Sequence, residues 1–358
     1  MTTSINKKHF LSHFTGLVLI LMAISDITSS RLIISTSAIL SIVVFVFYFP
    51  IENRRLFAAA SLFILFLLTM SVVNLLFTEN GFGGTLTLLG NLLLTFIYLL
   101  GDKKKLTPYV ILVYLIGIGF ISYSLFVLKL TANEIYEGLS RNHAGFAVVF
   151  YTIFLTFHLK ITYNKYPLIP AILSLVLSFF LIGRTSMIVS ALLLAIVFYF
   201  KFQDKKVVRF TILAFVLAIS YYLYLTFQSV LFEETNLNQG LDTPRWELWR
   251  IYIDNINFIN LFTGVEVSEL PLYSHHGNNP HNSFIKFHSR VGFGCIVFIA
   301  LYFVSLYHYL KSRNTYIFFL LLLLTIRAFF DSDILIGNFD FIFFIITFYW
   351  TTNHQYET

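Results

Sequence analysis

His281, Arg184 and Arg245 are the side chains of this sequence whose type and setting point to chemistry. His281 stands in the segment PHNSF, directly after Asn279-Pro280, a pair that reads as a helix start. The helix expected there carries His281, Phe284, Ile285 and His288 on one face, with His281 in its first turn. The positive end of a helix dipole disfavours an imidazolium. A histidine kept neutral near pH 7 can take up a proton, which is the task of a general base. The plainer reading is a polar histidine that hydrogen-bonds its own loop.

The arginines raise a second possibility. Arg184 lies in IGRTSM between two apolar runs, where the chain turns within a few residues. An arginine so close to hydrocarbon is costly and usually faces a cavity or a partner. Snorkelling of its guanidinium to lipid phosphates is the competing explanation. Arg141, in SRNHAG ahead of another apolar run, is similar. Arg245 opens PRWELWR, where Thr243-Pro244 predicts a helix with Arg245, Leu248, Trp249 and Tyr252 on one face. A tryptophan at Trp249 suits a helix lying in a membrane interface. Guanidinium planes meet phosphate oxygens in pairs, as ammonium groups do not. Two or three converging arginines would suit a diphosphate.

Other groups give less. His275, His276 and His288 lie near His281, but HHxxxxH is no recognised ligand spacing and the single cysteine, Cys295, stands apart. No metal site is expected. Arg327 and Asp331, spaced i, i+4, predict an internal ion pair. Asp331, Asp333 and Asp340 could hold a divalent ion or sugar hydroxyls, although solvated loop charge is the favoured reading. The sequence has no Walker motif, GxGxxG fingerprint, HExxH or GxSxG.

The elements that must position these residues are membrane helices. Of 358 residues, 58% are hydrophobic and only 12% charged. The mean hydropathy is +0.79. Soluble domains carry about 25% charged residues, so this composition excludes an ordinary cytosolic enzyme, a disordered chain and a nucleic-acid binder. Spans of about 20 mostly apolar residues can be drawn at about 10–25, 32–49, 56–77, 85–100, 108–128, 144–159, 167–183, 186–200, 210–228, 291–310, 315–330 and 337–352. The expected fold is all-α: a single integral membrane domain, residues 1–358, of about twelve transmembrane helices. One large loop, about 229–290, holds short interfacial helices.

Charge orients the bundle. The N-terminus and even-numbered loops carry most of the Lys and Arg, including Lys7, Lys8, Arg54, Arg55, the run 103–105, Lys205 and Lys206. The acidic residues fall mostly on the other side. The basic side is therefore expected to be cytoplasmic, with both termini, and the large loop lies outside. The net charge of +6 is chiefly a topology signal. The first span is not a cleaved signal peptide, because no small-residue cleavage site follows it and Asp26 comes directly after.

Three segments carry a family resemblance. GRTSMIVSALLLAIVF (183–198), PRWELWR (244–250) and PHNSFIKFHSRVGFG (280–294) are similar, in order and placement, to segments of the O-antigen ligase/polymerase superfamily. The resemblance covers roughly residues 140–310, and Thr185-Ser186 stand where the ligases have Gly-Ala. It implies a GT-C-like membrane glycosyltransferase of the bacterial inner membrane, with its active site on the periplasmic face. Donor and acceptor would be undecaprenyl-diphosphate-linked oligosaccharides amid membrane lipid, with no cofactor, metal or nucleotide sugar. A chain-length regulator protein is the implied partner of a polymerase. By position, Arg184 and Arg245 would hold the donor diphosphate and His281 would activate the acceptor hydroxyl. Asn282 would fix the loop or a sugar hydroxyl, and Arg141, Trp249 and Arg250 are further substrate contacts. A polymerase is favoured over a ligase that transfers glycan to lipid A-core.

A lipid-linked oligosaccharide flippase or secondary transporter is the main rival. It predicts ionisable groups near the bilayer midplane and broken helices in two repeated halves. In this sequence the ionisable groups collect at outer span ends instead. A non-catalytic scaffold would leave Arg184 and His281 without a role.

Overall fold

The computed structural model describes residues 2–28, 30–48, 54–78, 82–136, 141–205, 207, 210, 214, 221, 244–331, 335, 337 and 339–353. Among them the regular structure is entirely helical. Backbone polar groups in hydrocarbon must be satisfied within their own segment, so long apolar runs become helices. Their hydroxyls are absorbed the same way: Thr15, Ser41, Thr95 and Thr152 each donate to the carbonyl four residues back.

The helices run α1 (Thr2–Thr28), α2 (Arg31–Tyr48), α3 (Arg54–Phe77), α4 (Phe82–Leu100), α5 (Lys103–Phe126), α6 (Arg141–Tyr163), α7 (Leu168–Phe180) and α8 (Arg184–Lys201). After the large loop's α9 (Pro244–Asp254), α10 (Phe258–Thr263) and α11 (Ser283–Val291) come α12 (Phe293–Lys311), α13 (Thr315–Phe329), α14 (Asp340–Phe348) and α15 (Trp350–Asn353). Six of these contain stretches long and apolar enough to cross a membrane: His9–Thr28, Gly83–Leu100, Lys103–Phe126, Asn142–Tyr163, Arg184–Lys201 and Phe293–Lys311. Shorter apolar helices cover Leu32–Phe47, Ser61–Phe77, Leu168–Phe180 and Thr315–Phe329. The chain is thus a helical protein with membrane-spanning character. The expected span at 210–228 lies outside the described residues, apart from Phe210, Ala214 and Tyr221.

The chain forms two compact units. One comprises Met1–Ile116 with Arg245–Thr358, and the other Gly117–Pro244. In the first, α4 packs on α2 and α14. Gly90 lets α4 close on α2, since a Cβ there would lie 2.8 Å from Ala38 Cβ. The helices α11, α12 and α10 pack on α3. In the second unit α6, α7 and α8 pack on one another, and the hydroxyl of Ser190 bridges those of Ser174 and Ser178 at 2.8 and 2.9 Å.

Candidate functional site

The described part of the large loop folds around its own apolar core. Leu248 and Tyr252 of α9 bury against Val265, Val267, Leu270 and Tyr273, flanked by Trp249 and Ile285. Each such side chain contributes roughly 1.5–3 kcal/mol when fully buried, enough to order a segment with little regular structure. Tyr273 donates its hydroxyl to Leu248 O at 2.8 Å, closing the 3₁₀ turns over α9. Asn74, near the end of α3, donates to Thr263 O and Ser289 O at 2.5 and 2.8 Å. One amide therefore ties α10 and α11 to α3.

A polar chain crosses this core. Tyr252 Oη lies 2.8 Å from His288 Nδ1, and His288 Nε2 lies 3.3 Å from Leu261 O. The carbonyl can only accept, so Nε2 carries the proton and Nδ1 accepts from the phenol. Burial pushes the imidazole below its ordinary value, partly opposed by the Leu261 carbonyl. Burial raises the Tyr252 phenol well above its ordinary range, so it stays protonated. His288 is thus a neutral structural link between α9 and α11. Its signal was present in the sequence: Tyr252 and His288 are the last members of the two helical stripes, but nothing in either stripe says that they meet.

The second cluster gathers at the end of α13. Arg245 Nη1 donates to Phe330 O at 3.0 Å, and Ser283 Oγ donates to Asp331 O at 2.6 Å. These side chains satisfy carbonyls beyond the last turn of α13, where the dipole favours a cation. Arg327 Nη2 pairs with Asp331 Oδ2 at 2.9 Å, both buried. The i, i+4 pair predicted from spacing is present. The expectation of solvated acidic charge is corrected, because Asp331 and Asp340 are buried. Asp331 faces a guanidinium, and Asp340 at the start of α14 accepts from Gly337 N–H at 2.9 Å. Asp333 lies outside the described residues.

Trp249 links this cluster to the histidine segment. Its indole N–H donates to Pro280 O at 2.9 Å, and its ring lies against Phe330. His281 is half-buried and adopts a left-handed backbone at φ 48°, with its N–H donating to Asn279 Oδ1 at 2.8 Å. The expected helix start is corrected by three residues. Asn282, not Asn279, is the N-cap, and its side-chain oxygen accepts from the N–H groups of Phe284 and Ile285. His281 therefore precedes the helix instead of occupying its first turn. Hydrogen bonds from Trp249 to Pro280 O and from Ser283 to Asp331 O seat the chain on either side of Asn282.

Through the Trp249–Pro280 bond the structure brings the helix of Arg245 and Trp249 beside the segment of His281 and Asn282. Asn282 caps α11. Arg250 is not gathered there: it is exposed and pairs with Asp254 at 3.5 Å on the outer side of α9. In the second unit, Arg184 is the first residue of α8, after the turn at Ile182-Gly183. Ser186 is buried beside it, close against Gly145 of α6. Arg141 opens α6, but its side chain lies outside the described set. His275 is exposed, and among the described residues no three of His, Cys, Asp or Glu group as metal ligands. In comparisons with protein-family models, characterised proteins and solved structures, nothing matched this chain.

Proposed function

We propose that this protein is a membrane glycosyltransferase of the bacterial inner membrane, of about twelve spans, that polymerises a surface glycan on its periplasmic side. The observation that carries the reading is the Trp249–Pro280 bond. It joins PRWELWR to PHNSF, two of the three segments on which the resemblance to O-antigen polymerases and ligases rests. The bond sets the helix that carries Arg245 beside the segment that carries the half-buried His281.

In this mechanism His281 takes the proton of the acceptor hydroxyl as its oxygen attacks the anomeric carbon of the donor. The bond from that carbon to the diphosphate oxygen breaks, and undecaprenyl diphosphate leaves with the electron pair. The anomeric configuration inverts. Arg245 offsets negative charge growing on the leaving group, a contribution largest where donors are fixed in advance. The bond from Arg245 to Phe330 O supplies that fixation. Arg184 is assigned to diphosphate by the resemblance alone and carries its own test: Arg184→Lys abolishes turnover if paired hydrogen bonds to phosphate are needed.

The deciding experiment is the lipopolysaccharide banding of a strain that lacks this chain. Core bearing a single repeat unit is the expected pattern, because ligation continues without polymerisation. Bare core with accumulated lipid-linked polymer would make the protein the ligase. An unchanged ladder would sink both and favour transport.

A further inference from the structure

We propose that α10 is a lipid-inserted helix whose exposed face lies in the acyl chains of the bilayer and seats the large loop on the membrane surface. The reading requires only that the chain spans a membrane, and it stands or falls independently of glycosyl transfer.

Three observations carry it. First, the chain has no charged residue between Asp254 and Glu266. Second, α10 exposes large apolar side chains. Phe258 is 78% exposed and Ile259 61% exposed, with Phe262 beside them. Thr263 at the end of the helix is buried, and Asn74 of α3 holds its carbonyl. Large apolar groups exposed together are costly in water. Third, this face continues the apolar surface of α12, which is long and apolar enough to cross a membrane, and of the shorter apolar helix α3. Helix α10 packs on α3 and α12, and Phe262 stacks on Phe293, the first residue of α12, at 5.1 Å. Leu76 and Phe77 at the end of α3 are likewise exposed and apolar. The exposed faces of α3, α10 and α12 therefore carry one kind of surface, and lipid is the solvent that suits it.

The neighbouring helix supplies the contrast. Helix α9 bears tryptophans and is the expected interfacial element, yet its outward side carries Glu247, Arg250 and Asp254. Arg250 and Asp254 are both well exposed. Ions there would resist transfer to hydrocarbon, which puts α9 on the aqueous side and α10 on the lipid side. Gly292 makes the seating tight: it has φ 46°, and a Cβ at this position would overlap the Phe262 carbonyl.

The test uses the full chain in vesicles of phosphatidylcholine and phosphatidylglycerol. Nitroxide labels are placed singly at Phe258→Cys, Ile259→Cys, Phe262→Cys and Arg250→Cys, while buried Cys295 stays unlabelled. Each label is scored for collision with oxygen, which concentrates in lipid, and with a water-soluble nickel chelate. Oxygen collisions should exceed nickel collisions severalfold at 258, 259 and 262, with the order reversed at 250. Labels on α10 that respond as the 250 label does would overturn the proposal. Suppression of both collisions at all three α10 positions would also overturn it, by showing that protein covers the face. Elution with the unlabelled protein on size exclusion confirms that each variant is folded.

Discussion

His281 combines two properties that a substitution can separate. It is the assigned base, and its backbone sits in the left-handed region. Histidine and asparagine tolerate that region better than most residues. His281→Asn should therefore keep expression and thermal stability close to wild type while turnover falls about 10²- to 10⁴-fold, the usual contribution of general base catalysis. Rate and melting temperature measured on the same preparation check this. Equal loss of both would make His281 a loop residue, the plainer of the two readings of PHNSF. The sequence made His281 and Asn282 visible as a polar pair at a helix start. Which asparagine caps that helix was not legible, because Asn279 and Asn282 are chemically equal and only their tertiary neighbours differ.

At the scale of elements, two polar links hold α9, α11 and the end of α13 in place. The buried Arg327–Asp331 pair ties the end of α13 to the Ser283 start of α11 through Asp331 O. Asp331→Ala leaves a guanidinium buried without its carboxylate, which should cost about 3–5 kcal/mol. The double variant Arg327→Met/Asp331→Leu removes both charges and should lose less than the single change. Denaturant unfolding of the three proteins in detergent decides the order. If the single change costs no more than the double, the ion pair is not what secures α13.

The Tyr252–His288 link sets a pH dependence. His288 titrates below the ordinary 6.5 because of its burial. The unfolded chain therefore binds a proton that the folded loop refuses, and stability rises with pH through the interval between the two values. The link is fully effective above about 6.5 and is lost as pH falls through the depressed value. Hydrogen exchange in α9 and α11 should accelerate between about pH 7.5 and pH 5.5 beyond the intrinsic chemical rate. In His288→Phe the excess should vanish. An excess that persists in the variant would place the titration elsewhere. The stripe that ends at Tyr252 and the stripe that ends at His288 could each be read from periodicity, but their meeting could not, since helical periodicity specifies a face and not its partner.

The whole molecule answers to its solvent. Basic residues collected at the N-terminus and in alternate loops predict that both termini face the cytoplasm. A fluorescent protein fused after Thr358 should fluoresce, and alkaline phosphatase fused at the same point should be inactive. Phosphatase inserted after Asn278 should be active. An active fusion at Thr358 would invert the topology and move the segment of His281 to the cytoplasmic side.

Hydropathy alone determined that this chain builds helices of spanning length. In hydrocarbon a backbone has no other local way to satisfy its amides, so composition and run length suffice. Residue type and the i, i+4 rule likewise made the Arg327–Asp331 pair readable, because both partners lie on one turn of one helix. What only the tertiary structure decided is everything that joins separate segments. The indole of Trp249 on Pro280 O, the phenol of Tyr252 on His288, the amide of Asn74 on two loop carbonyls and the burial of Asp331 and Asp340 all depend on which elements come to lie together. That choice is made by the summed packing of distant apolar faces, which no local pattern encodes.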